Sequence, residues 1–142
     1  MNGLWHISRT LLLAATLAAA LPSRAAVWIN EFVADNDGSF LTAAGQNSDW
    51  IELHNPSADT IDLGGWHLTD NAGNRTKWRI PDGTSIAPGG YLVVFADSSP
   101  LSVTNGELHA NFSLSKDGEY LGLVRPDGLT VAEEFAPLFP PQ

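Results

Sequence analysis

An all-β sandwich or barrel is the fold class this sequence predicts, and three observations carry the prediction. After residue 26 no stretch sustains helical spacing of apolar residues. Short runs rich in β-branched and aromatic residues recur instead, separated by Gly, Pro, Asn and Asp, as in short strands joined by turns. The chain has 142 residues, which suits one domain. Beyond residue 25 its length approaches the ~100 residues of a single immunoglobulin-like sandwich.

The runs follow in order. Val27 to Val33 (VWINEFV) is the first expected strand. Trp50 to His54 is the second, and Asn55-Pro56 stops it because proline cannot donate to a ladder. Ile61 to Leu63 is a brief apolar patch before Gly64-Gly65, where the chain can bend sharply before Trp66 to Thr69. Thr76 to Ile80 alternates, which turns Trp78 and Ile80 inward and leaves Lys77 and Arg79 in water. Tyr91 to Ala96 is unbroken and apolar, as a central strand covered on both faces would be. Tyr120 to Val124 leads into a tight hairpin over Arg125 to Leu129, where Gly128 accepts a positive φ. Leu129 to Phe135 is the last strand. The bulky Trp50, Trp66 and Trp78 suit the space between two sheets. Residues 136–142 (APLFPPQ) are proline-rich, exclude a helix or an inner strand, and read as the start of a linker.

Residues 1–25 read as a signal peptide. A short start with one basic residue, Arg9, precedes the apolar run Thr10 to Leu21, and Ser23-Arg24-Ala25 offers a small-residue exit. The apolar run is short for a membrane span, which needs ~20 residues; an uncleaved anchor is the alternative. Cleavage after Ala25 would leave the domain at 26–135 and place it outside the cytoplasm: secreted, periplasmic or on the cell surface.

The formal net charge is −9. Removal of Arg9 and Arg24 with no acid makes the remainder more acidic still. Such a surface repels phosphate backbones and anionic membranes, so neither nucleic-acid binding nor membrane insertion after cleavage is expected. The sequence has no cysteine. Thiol nucleophiles, zinc fingers and iron–sulfur clusters are therefore excluded, and the core must hold the fold without disulfides.

Four blocks in one order carry a family resemblance. They are Asp49 to Asn55 (DWIELHN), Leu63 to Asp70 (LGGWHLTD), Trp78 to Pro81 (WRIP) and Ile86 to Phe95 (IAPGGYLVVF). Ile29 to Phe32 (INEF), Asn111 to Leu114 (NFSL) and Gly118 to Leu123 (GEYLGL) agree with them. Over roughly residues 27–135 the chain resembles the lamin tail domain family, in its bacterial secreted branch. The resemblance implies an immunoglobulin-like β-sandwich of lamin-tail type without the antibody disulfide. It implies a binding and scaffolding module without catalytic residues, with a protein or cell-surface component as partner. The coiled-coil rod and nuclear signal of nuclear lamins are missing from the sequence, which puts the nuclear roles in doubt.

Little else in the sequence suggests chemistry. Asp35-Asn36-Asp37-Gly38-Ser39 places oxygen donors around a glycine, as calcium sites do. An EF-hand loop needs a glutamate six residues past the glycine, and Ala44 stands there. The run thus reads as an Asx-rich turn, with a looser calcium site around Asp35 and Asp37 that recruits Asp49 or Asp70 as the alternative. His54, His67 and His109 have no HExxH-like spacing. None of Ser98, Ser99, Ser102, Ser113 and Ser115 sits in a nucleophile elbow. Glu133 and Glu134 should point to opposite faces of a strand. Arg75, Lys77 and Arg79 form a small basic cluster that could dock an acidic partner or be a solvated face. The expectation is accordingly a non-enzymatic extracellular binding or scaffolding module with no catalytic, cofactor or metal residue. An accessory domain of a larger secreted hydrolase and a calcium-stabilised adhesion domain are the alternatives.

Overall fold

Strand formation follows the β-branched and aromatic runs. A computed structural model describes residues 27–142, and these form eleven strands and no helix. They are β1 (Trp28–Val33), β2 (Asp49–His54), β3 (Ile61–Asp62), β4 (His67–Thr69), β5 (Trp78–Arg79), β6 (Ser85–Ile86), β7 (Tyr91–Ala96), β8 (Val103–Thr104), β9 (Glu107–Ala110), β10 (Leu121–Val124) and β11 (Val131–Phe135). The signal-peptide expectation for residues 1–25 lies outside the described residues.

A five-stranded sheet in the order β1-β2-β7-β9-β8 and a four-stranded sheet in the order β11-β10-β4-β5 make the two layers, with a small β3-β6 pair beside them. All pairings are antiparallel except β7 with β9. Between the layers lies a cluster that includes Ile51, Leu53, Leu68, Trp66, Trp78, Ile80, Val94, Leu121 and Leu123. Several of these side chains are fully buried, which supplies the apolar burial that a disulfide-free domain depends on. The all-β, immunoglobulin-like sandwich expected from the sequence is the fold observed.

Strand by strand, the expected runs are present with trimmed ends. Trp78 and Ile80 are buried and Arg79 is exposed, as alternation required. The hairpin closes with Gly128 N–H donating to the Arg125 carbonyl, with Gly128 at φ +68°. Missing from the sequence reading were β6, β8 and β9. Of these β9 matters most, because it is an inner strand that pairs in parallel with β7.

Two expectations need correction. Trp50 does not sit between the sheets: Ile51 and Leu53 take the inner positions of β2, so strand alternation turns Trp50 to the outer face. There it is covered by Phe40, with ring centroids 6.0 Å apart. Residues 136–142 do not leave the domain as a linker. Phe139 is 1 % exposed within the core cluster, and its N–H donates to the Glu119 carbonyl at 2.8 Å. Gln142 N–H donates to the Lys116 carbonyl, and its side-chain oxygen accepts from Ala34 N–H. Proline keeps the segment out of a ladder, but it does not stop an apolar ring between prolines from gaining by burial.

Candidate functional site

The outer face of the five-stranded sheet is where chemistry-bearing side chains converge. A bulge between Ile29 and Glu31 decides which ones. By adding one residue to β1 it returns Phe32 to the inner side and sets Glu31 outward. Cross-strand register then arranges the outer face in three rows. Trp28, His54 and Tyr91 make the first, Glu31, Glu52 and Val93 the second, and Val33, Trp50, Phe95 and His109 the third.

The first row is an aromatic ladder. His54 stacks on Tyr91 at 4.3 Å and meets Trp28 edge-on at 5.3 Å. Tyr91 is 57 % exposed. The third row is roofed by the loop 34–48. Phe40 stacks on Phe95 at 5.6 Å, and Phe95 stacks on His109 at the same spacing. Anchors hold the loop at several points. Asn36 Nδ2 donates to the carbonyls of Phe40 and Ser48 at 2.6 and 2.9 Å. The Glu107 carboxylate accepts from Ala43 N–H at 2.8 Å. A bridge between Leu41 and Asn47 narrows the loop into a small hairpin.

Between the first and third rows, beside Phe40, opens a cleft of about 380 Å³ lined by Glu31, Val33, Ser39, Phe40, Trp50, Glu52 and Val93. Its walls are aromatic and aliphatic, and its charged groups are carboxylates. Asn30 Nδ2 donates to Glu52 Oε1 at 2.8 Å. Trp50 is 9 % exposed, and its Nε1–H finds no acceptor among the described residues.

A second hollow, more polar, lies at the end of β7 between Asp49, Asp97 and Ser113. Asp49 Oδ2 accepts from Leu114 N–H at 3.1 Å. Burial pushes the Asp49 carboxyl upward against that bond and one from the Asn36 backbone, and the Asp35 charge adds to the rise. His109 Nδ1 lies 2.8 Å from Asp97 Oδ2. That pair has the look of the orienting half of a hydrolytic triad. Its Nε2, however, has no hydrogen-bond partner among the described residues and faces Glu107 Oε2 at 3.9 Å. A base needs its nucleophile within hydrogen-bond reach, and no serine hydroxyl stands there.

The residues singled out in the sequence are otherwise dispersed. Asn36 Oδ1 accepts from Gly38 N–H, Ser39 N–H and Ser39 Oγ–H, so the Asp35 to Ser39 run is an Asx turn whose middle oxygen is already occupied. Asp70 pairs with Lys77 at 2.6 Å. No group of three or more His, Cys, Asp or Glu suited to a metal ion occurs among the described residues. His67 is buried in β4 of the other sheet. The basic cluster is committed locally: Arg75 donates to the Leu129 carbonyl and Arg79 pairs with Asp82. Glu133 accepts from Ile29 N–H and Glu134 from the Tyr120 hydroxyl, on different sides of β11. Sequence reasoning missed Phe40, Glu31, Glu52 and Val93 as a group. The one usable signal was the Glu of INEF and the Glu of WIEL, each flanked by apolar residues that had to face inward.

The family model of the Lamin Tail Domain matches residues 21–135. No curated protein matches the chain.

Proposed function

Since the chain belongs to the lamin tail domain family, we propose that it is a non-catalytic binding and scaffolding module that works outside the cytoplasm. The observation that supports this most is the outer face of the five-stranded sheet. It combines exposed aromatic rings with a lined cleft, and no nucleophile and base are assembled on it among the described residues. The edge of β1 is less suited to strand addition by a partner. Side chains already occupy it, Glu133 at Ile29 N–H and Gln142 at Ala34 N–H. Location outside the cytoplasm rests on the signal-like residues 1–25, and the partner is proposed to be a protein or a cell-surface component.

The test has two arms. Fusion of residues 1–25 to a reporter that is active only after export should yield an active reporter; a reporter retained in the cytoplasm would remove the extracellular role. The purified chain should turn over no ester, phosphate or glycoside in a substrate panel. Robust turnover abolished by His109→Ala would make it an enzyme, with the Asp97–His109 pair as its centre.

A further inference from the structure

We propose that the cleft between Phe40 and β1–β2 binds the cationic side chain of an arginine or lysine in an extended basic segment of a protein partner. The inference rests on the binding-module reading above and names the chemistry of its site.

Charge placement is the first argument. Glu31 and Glu52 are direct cross-strand partners, and like charges directly opposite each other destabilise a sheet. No cation among the described residues relieves them. Strands β1, β2, β7, β8 and β9 contain no Lys or Arg, and neither carboxylate makes an ion pair among the described residues. Asn30 alone donates to Glu52. A facing carboxylate pair left without a cation among the described residues is arranged for one from outside.

The walls argue for the same occupant. Lys and Arg carry a long apolar stem beneath a charged head. Val33 and Val93 line the cleft where a stem would lie, and Phe40 and Trp50 present rings where a cation gains from the aromatic quadrupole. Phe40 is 45 % exposed, so its ring is available to a visitor.

An unmet donor is the third argument. Trp50 is nine-tenths buried at the wall of the cleft, and its indole N–H has no acceptor among the described residues. A buried donor without a partner calls for a reason. The nitrogen itself lies beneath the surface, so an acceptor reaches it only when the cleft wall opens. A protein segment that enters supplies that acceptor, because it carries a backbone carbonyl beside every cationic side chain. A small polyamine has charge and stem but no carbonyl.

The experiment is a titration of the full ¹⁵N-labelled chain with a soluble peptide of alternating lysine and threonine, followed by NMR. Saturable shifts are expected at the Trp50 indole N–H and at the Glu31 and Glu52 amides, with a Kd on the order of 100 µM that rises with salt. Glu31→Gln with Glu52→Gln should weaken binding at least ~10-fold, the loss of two charge-assisted contacts. That variant should melt at the same temperature or higher, because the like-charge contact is gone. Phe40→Ala should weaken binding several-fold. Asp59→Asn with Asp117→Asn removes equal charge from exposed positions elsewhere and should leave binding unchanged. Spermidine should bind at least ~10-fold more weakly than the peptide, for lack of a carbonyl. Equal weakening by the Asp59/Asp117 control, shifts that map away from the cleft, or no saturation would overturn the proposal. Equal binding of spermidine would overturn the assignment to a protein segment. Failure here leaves the binding-module reading standing, whereas enzymatic turnover would remove that reading without touching the titration.

Discussion

Asn55 shows how much a single polar side chain can fix. It is fully buried at the end of β2. Its Nδ2 donates to the carbonyls of Asp59, Ile86 and Ala87, and its Oδ1 accepts from Ser57 N–H and Ser57 Oγ–H. One amide thereby ties the end of β2 to the turn that precedes β7. Asn55→Ala would leave the buried Ile86 carbonyl unmet and remove the donor to two part-buried ones, and should destabilise the chain by roughly 3 kcal/mol, read as a fall in the denaturation midpoint with unchanged slope. From the sequence, Asn55-Pro56 was legible as the stop of a strand. That the asparagine is buried was not, because its partners at Ile86 and Ala87 are distant in the chain. Asp127 is the opposite case, a fully exposed residue whose partners are local and legible. Hydrogen bonds from Thr130 Oγ1–H, Thr130 N–H and Leu129 N–H lower its carboxyl from the ordinary 3.8 to about 2. A carboxyl that is lowered in the fold favours the folded state when ionised, so its contribution is whole above the ordinary value and lost as pH falls through about 2. The amides of Leu129 and Thr130, followed by NMR, should titrate with that low midpoint. A midpoint at the ordinary carboxylate value would mean that the Asx turn is not held in solution.

Among the elements, those with a local signature were readable and those defined by distant pairing were not. Alternation in WRI and the unbroken YLVVFA run announced β5 and β7. Glu107 to Ala110 also alternates, yet it lies in a stretch of Ser, Asn and Gly that reads as loop. Its strand character comes from pairing with β7, which a single sequence does not display. Trp50 was assigned to the wrong side for a related reason. With Ile51 and Trp50 both large and apolar, only the loop that brings Phe40 over the sheet explains how the outer ring is covered. The C-terminal segment is the clearest case for experiment. Its prolines are visible, but the core position of Phe139 is not. Phe139→Ala should cost about 3–5 kcal/mol, the range for a buried aromatic ring. Its main effect should be on global unfolding, since the ring contacts Phe32 at 4.7 Å. A loss within a few tenths of a kcal/mol would return residues 136–142 to the status of a linker. Gly118 adds a check on the same docking. It has φ +91°, and a Cβ built on it would overlap the Phe139 carbonyl oxygen, so the segment can lie there only against glycine.

At the scale of the whole molecule, charge and core are separated. Arg75, Lys77, Arg79 and Arg125 lie in and around β4, β5 and β10, while the strands of the five-stranded sheet carry acids and no Lys or Arg. A formal charge of −9 must oppose compaction to some degree, and the absence of disulfides leaves the apolar core to offset it. The acids singled out in the sequence are engaged separately. Asn36 has spent its oxygen on the Asx turn, Asp49 faces Leu114 N–H, and Asp70 is held by Lys77. The prediction is that a divalent cation acts on this molecule only as screening charge. Thermal unfolding should move up by a few degrees as sodium chloride rises from millimolar to near-molar levels, since salt screens self-repulsion between exposed charges. Millimolar calcium should do no more than magnesium at equal ionic strength, and a chelator should change nothing. A rise specific to calcium and abolished by Asp37→Ala would show that the loop over the sheet can reopen its Asx turn around a metal. The roof of the cleft would then be metal-controlled, because the same loop carries Phe40.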